Sequence, residues 1–234
     1  GLPLRQRRFL SVAYTFAARS PLNDLPARAL AELLPPAGDF ARVTFGYAYA
    51  NTRRFPHSIS PERGPSLSVA LSALSKGLGS DFEQVVVTGD GRYYWDLPWA
   101  DNHVLAARLT LGLGGGPDLA ERFRVGGVAG SSVLSTATTN FLPLRGLAAA
   151  VLTGTGQITT TLEYRAPLFR VDRGPGTFPL TLSVLHAAAF LDAGRTFEDV
   201  AGLVREDFAE PLAVSAGIEL RADALLAFVA PLTV

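Results

Sequence analysis

Three charged side chains in the C-terminal half have types and positions that could act together. They are Arg145, within Leu142-Pro143-Leu144-Arg145-Gly146-Leu147, Glu163, and Asp192, within Phe190-Leu191-Asp192-Ala193-Gly194. A guanidinium is a planar fork that binds one or two carboxylates bidentately, and in a confined space a lone arginine is costly unless it meets such partners. A loop tied down through Arg145 to Glu163 and Asp192 is therefore physically sensible, and Gly146 lets the backbone turn tightly or approach a wall closely. Spacing alone favours a plainer reading, a solvated Arg145 and two unrelated acids, because Arg-Gly is a common dipeptide.

Other chemistry finds little support. His57, His103 and His186 are far apart and in no metal-ligand spacing. Ser131-Ser132 follows Gly130 outside a Gly-x-Ser-x-Gly frame, and Gly114-Gly115-Gly116 lacks the Gly-Lys-Ser/Thr ending of a phosphate loop. No catalytic residue, metal or cofactor is expected, so the chain reads as a non-enzyme. Having no cysteine, it forms no disulfide or thiolate metal site, and a net charge of +0 gives no electrostatic argument for nucleic acid. Lys76 is the only lysine; the other basic residues are arginines.

The elements that must position these residues are strands. The chain is 48% hydrophobic and 18% charged over 234 residues, with a mean hydropathy of +0.23. No run approaches the roughly 18 apolar residues of a membrane helix, yet such a chain can cross a bilayer as a closed β-barrel, whose backbone groups pair between strands. Apolar residues alternate in segments of roughly ten, separated by turn residues, as membrane strands do. The pattern predicts about nine strands, over 9–18, 40–51, 66–74, 82–97, 103–113, 156–168, 178–192, 212–222 and 225–234. A Pro-rich, part-helical connection is expected around Leu25 to Pro36, and turns at 56–64 and 172–176. The phase of 178–192 is ambiguous, because Leu180, Leu182 and Val184 share parity with Asp192, so that strand either bulges near His186 or is apolar on both faces.

Alternation does not say which face is buried, and a lipocalin-like barrel or a sandwich satisfies it too. Composition favours the apolar face outward. The opposite face is mostly Ser, Thr, Gly and Ala with a few Arg and acids, which suits a wet lumen better than open solvent. Arg42, Arg92, Arg108, Arg165 and Arg221 then read as solvated pore lining. Tyr93, Tyr94, Trp95 and Trp99 cluster as an aromatic girdle at a membrane interface would. From about 114 to 154 no alternation is sustained, and so long a loop is uncommon unless it has a task.

In this setting Phe123-Arg124-Val125-Gly126-Gly127, Arg145-Gly146, Glu163-Tyr164, Phe190-Leu191-Asp192-Ala193-Gly194 and Ser215-Ala216-Gly217-Ile218-Glu219-Leu220 follow one another in order. Together they resemble the C-terminal barrel of the BamA-type outer-membrane assembly factors, the bacterial surface-antigen superfamily. The resemblance is specific from about 122 to 234 and general before it. It implies that Gly126 and Gly127 start the longest loop, that Arg145 and Gly146 form its tip, and that Arg145 clamps it to Glu163 and Asp192. Leu147 stands where the family usually has an aromatic residue.

The resemblance implies an all-β fold, a partial antiparallel transmembrane barrel of about nine of the family's sixteen strands. Residues 1–234 are expected to form part of one such domain, read as a fragment or mature segment without the N-terminal soluble region or the closing strand. The function implied is to assist insertion or translocation of other proteins at the outer membrane of a diderm bacterium, with a secretion pore for one dedicated partner as the alternative and a soluble lipid-binding barrel as a third. Partners would be unfolded outer-membrane protein clients or a secreted protein, membrane lipid and accessory assembly proteins.

Overall fold

The computed structural model describes residues 6–20, 36–55, 57–118, 121–127, 141–142, 144–148, 151–174, 180–198, 212–226 and 230–233. Its strands are β1 (Arg7–Arg19), β2 (Gly38–Ala50), β3 (Gly64–Leu74), β4 (Gln84–Asp96), β5 (Val104–Gly115), β6 (Phe123–Val125), β7 (Phe141–Leu142), β8 (Leu152–Gly154), β9 (Gly156–Arg173), β10 (Leu180–Phe197), β11 (Ala213–Leu226) and β12 (Ala230–Thr233), with one short 3-10 turn at Lys76–Leu78. Among the described residues no helix is long and apolar enough to cross a membrane.

Nine of these strands form one antiparallel sheet in the order β1-β2-β3-β4-β5-β9-β10-β11-β12. β5 pairs directly with β9, from Val104 opposite Arg165 to Leu113 opposite Gly156. The segment between them is therefore an excursion from a hairpin that leaves and returns at the same end of the wall. It is not structureless, as its lack of alternation suggested. β6 pairs with β7 in parallel and with β8 in antiparallel fashion, making a second, three-stranded sheet too short for any period to be read from sequence.

The large exposed side chains of the wall are mostly apolar, and many of its buried ones are polar. Leu10, Val12, Phe45, Leu67, Leu71, Leu109, Ile218 and Leu220 are exposed, whereas Gln84, Thr110, Gln157, Thr159, Glu163, Asp192 and Thr196 are buried. A soluble sheet protein does the reverse; a wall facing lipid around a wet interior needs this arrangement. Tyr93, Trp95 and Trp99 share the exposed surface, but Tyr94 does not join them. It points inward and packs with Val104 and Ala106.

One expectation about β10 is corrected and one ambiguity in it is resolved. Asp192 does not end the strand, which continues to Phe197. The phase ambiguity is resolved by one extra residue in β10, Ser183, where the register with both neighbours shifts between Leu182 and Val184; the further shift between Leu185 and His186 places its extra residue, Leu168, in β9. Above them His186, Ala188, Asp192, Gly194 and Thr196 are all buried on the lumen side. The last stretch also differs, since Leu225 belongs to β11 and a new strand begins at Ala230. The connection expected at 25–36, apart from Pro36, lies outside the described residues, as do Ser131, Ser132, Pro175 and Gly176.

Candidate functional site: the lumen clamp

The excursion is seated by glycines that leave space in the wall. A side chain at Gly112 on β5 would collide with the ring of Phe123, and one at Gly194 on β10 would come within 3.2 Å of Leu144. Phe123 and Leu144 are almost completely buried, and Leu144 forms a small apolar cluster with Val125 and Leu152. At the base of the turn, the Gly127 amide donates to the Leu147 carbonyl at 3.2 Å, and Gly127 bridges Leu144. Gly126 has φ +131°, and a Cβ there would strike the Ala148 carbonyl. Gly146 has φ +78°, the left-handed conformation that turns the chain immediately after Arg145.

These contacts place Arg145 over three adjacent strands. Its Nε donates to Asp192 Oδ2 at 2.8 Å and its Nη2 to Asp192 Oδ1 at 2.9 Å, a bidentate pair with β10. Nη1 donates to Glu163 Oε2 on β9 at 2.7 Å and to Glu219 Oε1 on β11 at 3.3 Å. The Arg145 amide also donates to Asp192 at 3.3 Å, so backbone and side chain hold the same carboxylate. The guanidinium lies 3.7 Å from the centroid of Phe190, whose ring occupies the space left by Gly217 across the ladder. Burial alone would lower the Arg145 pKa, but the hydrogen bonds to Asp192 and Glu163 outweigh it and raise it further, so the group stays charged.

The carboxylates have further partners. Glu163 accepts from Arg165 at 2.6 Å and from Arg221 at 3.0 Å, and Arg221 also binds Glu219. Three arginines and three acids thus form one network of balanced charge. Arg165 and Arg221 are not the solvated lining that their isolation in sequence suggested. Arg42 likewise pairs with Glu121, and Arg92 and Arg108 with Asp90. A cross-strand pair becomes visible only with the register, which puts Glu163 beside Phe190 and Arg165 beside Ala188, with Glu219 next in that row. The available signal was the i, i+2 spacing of Glu163 with Arg165 and of Glu219 with Arg221, each pair on one face of its strand.

A sequence model of the Omp85 superfamily domain matches residues 10–227, nearly the whole chain. The chain belongs to the Omp85 superfamily. Among solved structures, BamA from Haemophilus ducreyi lacking POTRA domains 1-3 shares the fold, with a TM-score of 0.57 at 15% identity over 95% of this chain. The match spans 48% of that BamA chain, so the present chain covers about half of its length. A search of curated proteins finds no match.

Within this Omp85 chain, Leu147 is partly buried against the Val125, Leu144 and Leu152 cluster, beside Ala213. The histidines stay apart. His186 is buried on the β10 wall 3.8 Å from Asp223, His103 contacts Tyr164, and His57 meets Arg170. Among the described residues no group of three or more His, Cys, Asp or Glu could hold a metal ion. Arg145 itself is held on every polar nitrogen and stacked on a ring.

Proposed function

We propose that this chain is part of a single transmembrane barrel domain in the outer membrane of a diderm bacterium, and that the barrel assists insertion or translocation of other proteins without nucleotide or catalytic groups. The observation that carries the reading is the combination of a wall that is apolar outside and polar inside with a loop folded into its lumen through Arg145. Superfamily membership supports the membrane setting.

In this reading the nine strands form an arc, and further strands complete the barrel. At its seam, an exposed strand edge pairs with the incoming strand of a client, so that backbone hydrogen bonds drive recognition whatever the client's side chains. The clamp of Arg145, Glu163 and Asp192 holds the loop against β9 to β11, keeps that part of the wall rigid and leaves the seam as the compliant region. Clients are unfolded outer-membrane proteins, with lipid and accessory assembly proteins as further partners.

The test is depletion of the full-length protein followed by complementation. Loss of many folded outer-membrane proteins, restored by wild type and poorly by Arg145→Ala at equal abundance, supports general assembly. Loss of a single secreted protein supports the second reading, a pore for one dedicated partner. That reading is favoured by an open cavity of about 430 Å³ on the lumen side of β1 to β5, where Ser11, Ser68, Asp90, Arg108 and Thr110 stand beside Phe9 and Phe123. An unchanged profile of both classes contradicts both readings. A polar lumen of this kind argues against a soluble lipid-binding barrel.

A further inference from the structure

The two ends of the wall differ in charge. Strand direction alternates, so the β2–β3 and β4–β5 turns share one end with the start of β1 and the end of β9, whereas the excursion emerges at the other. At the excursion end, cations are matched: Arg19 and Arg42 meet Glu121, Lys76 meets Asp118 and Arg122 meets Glu198, while Asp39, Asp81 and Glu83 have no ion pair among the described residues. At the turn end the balance is reversed. Arg7, Arg8, Arg54 and Arg173 are exposed, and none has a carboxylate partner among the described residues. Of the acids there, Glu62 is buried, Asp96 is already occupied by Arg63, and only Asp101 and Asp172 are exposed without an ion pair among the described residues.

Next to these arginines the outer surface carries aromatic residues. Tyr47, Tyr93, Trp95, Trp99 and Tyr164 are exposed, and Arg8 stands opposite Tyr49 in the β1–β2 ladder with its guanidinium 6.0 Å from that ring. Exposed Tyr and Trp on a lipid-facing wall mark the level of the bilayer interface. The unpaired arginines are therefore at or just beyond headgroup level, where a planar fork matches the oxygens of a phosphodiester.

We propose that the turn end of this barrel binds anionic phospholipid headgroups, with Arg8, Arg54 and Arg173 on the phosphates and the aromatic belt beside them. The inference rests on the membrane reading above and adds a lipid class and an end of the barrel to it: the phosphodiester headgroups are held at the turn end, opposite the excursion.

Trp95 and Trp99 are the only tryptophans in the chain and report directly on this belt. The full-length protein, with any tryptophans outside this region replaced by phenylalanine, is reconstituted in phosphatidylcholine bilayers containing either dibrominated phosphatidylglycerol or dibrominated phosphatidylcholine. Quenching should show about a three- to ten-fold preference for the anionic lipid, reduced by high salt. In the triple variant Arg8→Gln, Arg54→Gln, Arg173→Gln the preference should fall to near unity, with quenching by the zwitterionic lipid unchanged. Equal quenching of the wild type by both lipids, or an undiminished preference in the variant, overturns the proposal while leaving the membrane reading intact. Quenching by neither lipid overturns both.

Discussion

Two arginine–acid clusters on the lumen wall differ in what lies above them. On β4 and β5, Asp90 accepts from Arg92 and Arg108, and the Arg92 and Asp90 side chains remain 45% and 22% exposed. On β9 to β11, Glu163 and Asp192 are 5% and 2% exposed beneath Arg145, which is supplied by the excursion rather than by the wall. Both clusters begin as charges on the inward face of a strand. The difference is the loop, which brings a third arginine, excludes solvent and links three strands. Exposed ion pairs contribute little because water screens them and ordering long side chains costs entropy; buried ones matter chiefly because removing a partner strands a charge.

This contrast predicts a graded series. The largest effect should come from Arg145→Ala, which leaves Asp192 and Glu163 without the group that offsets their burial. A loss of about 3–5 kcal/mol is expected, measured as a lower urea midpoint of the full-length barrel in detergent, with Arg145→Lys only partly restoring it because an ammonium lacks the bidentate fork. Next is Glu163→Gln. It leaves Arg145, Arg165 and Arg221 sharing Glu219 and Asp192, and should cost about 2–3 kcal/mol in the same assay. Gly112→Ala acts through packing alone, since its methyl group meets the Phe123 ring. About 1–3 kcal/mol is expected, together with increased protease cleavage in the excursion. The smallest effect should be that of Asp90→Asn in the open cluster, at most about 1 kcal/mol and diminished by salt. If Asp90→Asn proved as costly as Glu163→Gln, burial by the loop would not be what separates the clusters.

The wall was legible in sequence because a strand in a bilayer has only two environments, and period-two alternation records them. Arg145, Gly146, Glu163 and Asp192 could be named for a different reason, each standing in a short motif whose order resembles a known barrel. What could not be read depends on register and irregularity. Asp192 shares parity with Leu182 and Val184; the extra residue between Leu182 and Val184 separates Leu182 from its face, while Val184 stays on it. Glu219, Arg165 and Arg221 join the network through ladder pairings that no local pattern encodes. The sheet of β6, β7 and β8 escaped because two or three residues cannot show a period, and the seats at Gly112 and Gly194 because a glycine that makes room looks like one that makes a turn.

The central claim is that Arg145 holds the loop tip against the lumen wall, and a crosslink tests it most directly. A Cβ at Gly146 would lie 3.5 Å from that of Ser215 on β11, within the span of a disulfide, and the chain has no cysteine to compete. The left-handed backbone at position 146 costs a cysteine about 1–2 kcal/mol, a modest penalty for this test. In the double variant Gly146→Cys, Ser215→Cys, the bond should form in the assembled barrel, and its yield should fall sharply when Arg145→Ala is added. No crosslink with Arg145 in place, or an equal yield without it, would contradict the account.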